Sequence, residues 1–171
     1  SLATPAGVAR VDVTNAAAYF EVGQFLASPL LFRSPDTQQL KWILTARGVP
    51  VRILDPERAP LRLGGALLQP LWPLADTEES YTDANETSLV FRLSYGRSSV
   101  LFTGDIGADA ERGLLERQAV EPCSLLKVAH HGSRYSSTDS FLAAVRPAAA
   151  VISAGYRNTF RLPATATLLR L

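Results

Sequence analysis

Three short apolar runs in the second half of the chain each stop at a sharply polar point. "SSVLFT" runs into Gly104 and Asp105, "LLKVA" into His130 and His131, and "AAAVISA" into a loop over Tyr156–Arg161. Between them lie stretches with helical spacing. Ala110, Leu114 and Leu115 share one face after Asp105, and Ser137–Arg146 reads as a short helix capped by Ser137 or Thr138, with Pro147 just beyond it. Strand, helix and strand in succession imply a right-handed crossover and parallel neighbours. Open α/β sheets keep their functional crevice beyond the carboxyl ends of such strands. Asp105, the two histidines and the 156–161 loop are therefore expected along one edge.

The first half follows the same grammar. Gln24–Ser28 reads as a strand. Ser34 and Pro35 start a helix that carries Leu40, Ile43 and Leu44 on one face and stops at Gly48, and Val49–Leu54 resumes as a strand, giving a βαβ unit. Ala66–Leu71 is a further strand, and Pro73–Glu86 is an acidic loop long enough to suggest a function. From Thr87 the pattern becomes a hairpin turning at Tyr95–Arg97. Ala149–Ala154 is the last strand, and a final helix starts at Pro163. With 171 residues, 47% of them hydrophobic, residues 1–171 are expected to form one α/β domain. Trp42 is expected in the core and Trp72 beneath the acidic loop.

Composition narrows the partners. Seventeen Lys plus Arg against sixteen Asp plus Glu leave a net charge of +1, so there is no global basic field and no strong basic patch. Any DNA contact must be local. Arg134, Arg157 and Arg161 flank the proposed edge and either meet phosphates or form ordinary solvated surface. Cys123 stands alone, which excludes an internal disulfide and a cysteine-cluster zinc site and suits a buried thiol. No apolar run approaches the roughly 18 residues of a membrane span, and Ser1–Arg10 lacks the pattern of a signal peptide. The chain as given is expected to be soluble.

A carboxylate with two imidazoles suits Zn²⁺ or Mn²⁺, and such an ion lowers the pKa of bound water enough to supply hydroxide near neutral pH. The plainer alternatives are that Asp105 caps the following helix and that His130 and His131 are loop polars. Ser133 also suggests a serine hydrolase. The Gly-x-Ser-x-Gly elbow is absent, which argues against it.

The order "NETSLVFRLSYGRSSVLFTGDI", "LLKVAHHGSRYSS", "FLAAVRPAAAVISAGYRN" resembles the metallo-β-lactamase-like domain of ComEC-type competence proteins, from Gln24 to the end of the chain. The resemblance implies an αββα sandwich and a metal-dependent phosphodiesterase or nuclease that acts on DNA during uptake. It implies Asp105 as a metal-bridging or metal-ligating acid, His130 and His131 as ligand or proton donor, and Ser133 as an orienting hydroxyl. Asn85 falls in a metal-facing loop, and Asn158 of "GYRN" with Arg134 completes the substrate-binding candidates. It also implies a bacterial protein at the outer face of the cytoplasmic membrane, with membrane-channel domains in the same longer chain.

Two departures qualify that picture. The His-x-His-x-Asp-His loop is missing: "VARVDV" (Val8–Val13) aligns Asp12 with its acid and valines with its imidazoles. After "GYRN", Leu162 stands where the last histidine ligand belongs. Either the chain begins after the missing loop or the site has decayed, and decay is favoured for Leu162. The remaining set supports one Zn²⁺ or Mn²⁺ ion at most, or none. Alternative readings are a non-catalytic scaffold or DNA-guiding domain of the same fold, and a small-ester metallohydrolase.

Overall fold

A computed structural model describes residues 3–4, 7–8, 21–30, 35–75 and 83–171, and its contacts fall into two units, Ser1–Leu54 and Asp55–Leu171. In the first unit β1 (Ala3–Thr4) pairs antiparallel with β2 (Gly7–Val8). The expected βαβ element follows. β3 (Phe25–Ala27) and β4 (Val51–Ile53) run parallel, joined through α1 (Pro35–Ala46). Leu40 and Leu44, one turn apart, are buried against Phe25, Ile43 and Val49. Trp42 does not join them: it is 70% exposed. Two residues along a helix is about 200° of rotation, so a core stripe through Leu40 and Leu44 turns Trp42 outward. The proposed cap Ser34 lies outside the described residues.

The second unit is built on a six-stranded mixed sheet. Its strands are β5 (Leu61–Leu63), β6 (Ala66–Trp72), β7 (Val90–Tyr95), β8 (Ser98–Phe102), β9 (Leu125–Lys127) and β10 (Ala149–Val151), ordered β10-β9-β8-β7-β6-β5. β5 through β8 form an antiparallel meander. The sequence reading missed β5, although Gly64-Gly65 between two apolar runs is a two-residue hairpin signal. β8, β9 and β10 are mutually parallel, as the strand–helix–strand pattern predicts.

Helices α2 (Ala108–Glu116), α3 (Asp139–Val145) and α4 (Thr165–Arg170) complete the unit. Ile106, Ala110 and Leu114 bury against Val90, Leu101, Leu126, Phe141 and Val145. Each fully buried Leu or Phe contributes roughly 1.5–3 kcal/mol, so this layer holds α2 and α3 to the sheet. Cys123 is buried as expected, and burial pushes its thiol pKa up. The result is the α/β fold class expected, a mixed sheet flanked by helices.

Two glutamates tie these helices to their neighbours. Asp105, for which a helix cap is the alternative reading, does not cap α2, whose N-cap is Gly107. Instead Glu86, in a 3-10 turn over Ala84–Thr87, accepts hydrogen bonds from Gly107 N (3.1 Å) and Ala110 N (2.8 Å). Its own carbonyl accepts from Trp72 Nε1 at 2.6 Å, so Trp72 lies buried at the end of the acidic loop. Glu111 on α2 is fully buried and accepts from Ser137 N (2.5 Å) and Thr138 N (2.8 Å) at the start of α3. Burial holds the Glu111 carboxyl above the ordinary glutamate value, against the two N–H donors that pull it down.

Glu86→Ala strips two α2 amides of their acceptor and is expected to lower stability by about 1–2 kcal/mol, read from urea unfolding. For Glu111, the raised pKa in the folded chain means that its stabilising contribution is complete below the unfolded value and is lost as pH rises through the folded one. The stability difference between the wild type and Glu111→Gln is therefore expected to narrow with rising pH across that window, measured as urea midpoints at several pH values.

Candidate functional site

The parallel register sets Phe102 opposite Lys127 and Lys127 opposite Val151. The three chains therefore leave the sheet side by side. Fully buried Thr103 donates its hydroxyl to Lys127 O at 2.6 Å, and His130 N donates to Gly104 O at 3.2 Å. The chain then passes through three left-handed residues, His130 (φ 47°), His131 (φ 55°) and Gly132 (φ 82°). For a non-glycine residue that conformation costs about 1–3 kcal/mol. Ser133 N on His130 O and Ala164 N on Gly132 O, both at 2.9 Å, hold it in place.

Each histidine is thereby aimed. His131 Nδ1 lies 2.6 Å from Ser153 O. A carbonyl only accepts, so Nδ1 carries the proton and Nε2 faces Asp105 Oδ2 at 3.6 Å. A neutral imidazole there sets a lone pair against a carboxylate, so the two atoms need a proton or a cation between them. Asp105 Oδ1 is engaged elsewhere: Lys127 Nζ stands 3.7 Å away while donating to Gly104 O at 2.7 Å. The His130 ring lies edge-on to that of His131, with centroids 6.4 Å apart.

These residues line an open cleft of about 1070 Å³. Asp105, His130, His131, Ser133 and Arg134 of the expected set come together in it, with Arg161 and Leu162 of the following loop also among its lining residues. Ser133 is nearly buried, and its Oγ accepts from Tyr135 N at 3.3 Å. Thr167 Oγ1 of α4 donates to Ser133 O at 2.8 Å, and Arg170 donates to Ser136 O at 2.9 Å, which fixes this wall. Asn85 and Asn158 are not among the lining residues. Asn85 N donates to Asp83 Oδ1 within the 3-10 turn. The Asn158 side chain donates to Gly155 O and Leu162 O and accepts from Leu162 N, pinning the loop that presents Arg161. Asp12 and Val13 lie outside the described residues.

Lys127 was missed from sequence, yet it was marked: it is the one charged residue inside the "LLKVA" strand. Glu111 was legible too, since it sits one turn from Leu114 beside the predicted core face.

Asp105 Oδ2 and His131 Nε2 stand close to the roughly 3.4 Å expected between two ligands of one tetrahedral zinc. His131 also has the carbonyl partner on its far nitrogen that orients metal-binding imidazoles. The pair supplies two of the three protein ligands usual at a catalytic zinc; Lys127 already faces Oδ1, and among the described residues no three His, Cys, Asp or Glu side chains gather as a ligand set.

Comparison with known proteins agrees with the geometry. Residues 75–156 match the model of the metallo-beta-lactamase superfamily. The chain is 36% identical over 99 residues to competence protein ComA of Neisseria gonorrhoeae, covering 57% of this chain and 14% of that protein. It is 36% identical over 87 residues to recombination protein 2 of Haemophilus influenzae (51% and 11%), and 34% identical over 79 residues to ComE operon protein 3 of Bacillus subtilis (46% and 10%). The matches thus span about a tenth to a seventh of these relatives.

Gly132 is the backbone position on which the histidine turn depends. A Cβ there would lie 2.6 Å from Pro163 Cβ, in a left-handed conformation unsuited to alanine. Gly132→Ala is expected to destabilise the chain by more than about 1 kcal/mol, seen as a lower urea midpoint, and to shift the His130 and His131 ring resonances in NMR spectra.

Proposed function

From the premise that the chain carries a metallo-β-lactamase superfamily domain of the ComEC type, we propose that it is a nuclease-type phosphodiesterase domain with a reduced site, in which Asp105 and His131 hold a single divalent cation. The observation that carries this reading is the orientation of His131, whose Nδ1 is held on Ser153 O while Nε2 is turned toward a carboxylate oxygen 3.6 Å away. When bound, Zn²⁺ or Mn²⁺ supplies Lewis acidity and a more acidic water. The chain's own groups do the rest. Arg134 and Arg161, which both line the cleft, receive the phosphodiester, Ser133 supports the loop beside it, and His130 donates a proton to a leaving oxygen. Lys127, 3.7 Å from Oδ1, holds Asp105 in position.

A second reading has its own support. Leu162 lines the cleft and cannot ligate, and Lys127 already pairs with Asp105. A non-catalytic domain that guides DNA would use the same arginines without turnover. The small-ester metallohydrolase has no separate observation in its favour. In either of the first two readings the partners are DNA and the membrane-channel domains of a longer bacterial protein, at the outer face of the cytoplasmic membrane. Among the described residues no helix is long and apolar enough to cross a membrane.

Incubation of this chain with single- and double-stranded DNA over a Mn²⁺ and Zn²⁺ series separates the two. Metal-dependent cleavage is expected, falling to the level of a no-protein control in Asp105→Ala and His131→Ala. Folded wild type that cleaves nothing at any ion concentration would sink the phosphodiesterase and leave the guiding domain.

A further inference from the structure

Two arginine–aromatic pairs line the same cleft. Arg134 and Tyr135 come from the loop after the histidine turn, and Phe160 and Arg161 come from the loop pinned by Asn158. The Tyr135 side chain is 74% exposed and Phe160 is 82% exposed. Large apolar groups left open to water are ordinarily scattered singly. Here two share one cleft, each next in sequence to a cation. Among the described residues neither ring stacks on another aromatic side chain, in contrast to Phe91 and Phe102, which stack at 4.7 Å on the sheet. Nor is either ring covered by an arginine in the way that Arg157 lies 5.2 Å over Tyr156 on the same loop.

The charges around these rings point the same way. The cleft is lined by two arginines and two histidines against one carboxylate, Asp105, whose oxygens already face Lys127 and His131. Its ligand is therefore anionic. An anionic ligand that also offers flat apolar faces at regular intervals is a nucleic acid strand with its bases exposed. In a duplex those faces are stacked on one another and hidden. Open aromatic rings beside phosphate-binding cations are the general means of holding unpaired strands, and they tolerate any sequence because every base has a π-face.

We infer that the cleft selects unpaired strands, with Tyr135 and Phe160 as base-stacking platforms and Arg134 and Arg161 on the flanking phosphates. This rests on the phosphodiester reading above and narrows it to one substrate form. Tyr135 and Phe160 are here specificity residues, and neither takes part in bond breaking.

The test is fluorescence anisotropy with the full chain and two labelled probes of about 12 nucleotides, oligothymidine and an abasic backbone of equal charge. Oligothymidine is expected to bind more tightly by about 5-fold or more for each ring engaged. Tyr135→Ala with Phe160→Ala should bring it down to the abasic affinity, and Tyr135→Leu with Phe160→Leu should do the same, because leucine is apolar but has no π-face. Both rings are exposed, so urea midpoints should stay at the wild-type value. Arg134→Ala with Arg161→Ala should weaken both probes alike. If the wild type binds both probes equally and depends on the arginines, the stacking inference fails and the phosphodiester reading survives. Preference for oligothymidine that persists in the leucine variant would likewise overturn stacking. Binding of neither probe would sink both, and would make the aromatic rim a protein-contact surface.

Discussion

The site depends on the parallel register of β8, β9 and β10. With Phe102, Lys127 and Val151 aligned across three strands, the residues that follow each strand have no choice but to meet. Gly104 O receives His130 N, and Ser153 O receives His131 Nδ1, so backbone from the two outer strands grips the central histidine turn. The left-handed backbone of His130 and His131 is unfavourable in isolation. It persists because these contacts specify it from both sides, and because Gly132 leaves room for Pro163.

Carboxylates in this unit divide by what surrounds them. Glu86 and Glu111 are spent on backbone amides: one closes the start of α2 and the other, from α2 itself, closes the approach to α3. Together they link the end of the acidic loop, through α2, to the Ser133–Ser137 wall of the cleft. Asp105 belongs to the other class. It accepts no helix amide and faces cationic and imidazole groups instead. A helix start therefore borrows its cap from a distant loop, and the aspartate beside it faces Lys127 and His131 instead.

Much of this was legible from residue pattern alone. The βαβ unit, the hairpin, the helices after Asp105 and Ser137, and the common edge all follow from periodicity of 2 or 3.6 and from turn residues, which are local signals. The order from "TGD" through "HHGS" to "GYRN" carried the resemblance that the superfamily match over residues 75–156 repeats. What stayed hidden were interactions between residues far apart in sequence. Glu86 reads as one more acid in an acidic loop until α2 arrives above it, and Lys127 reads as an interruption of a strand until Asp105 is placed. Trp42 was misjudged for a different reason. Its size argued for burial, but rotation about the helix, fixed by Leu40 and Leu44, argued against it and prevailed.

The pairing of Asp105 with Lys127 bears on how binding and turnover relate. In a site whose carboxylates are unbalanced, removing the metal leaves net negative charge that repels phosphate, so substrate binding and metal binding rise and fall together. Here the carboxylate is already opposed by the Lys127 ammonium, and two arginines line the same cleft. The cleft can therefore attract a phosphate backbone without an ion, while polarising that phosphate for attack still calls for one. On the proposed reading, affinity for the strand and ability to cut it rest on different groups in this chain, so a leucine at 162 in place of a metal ligand erodes the second while sparing the first.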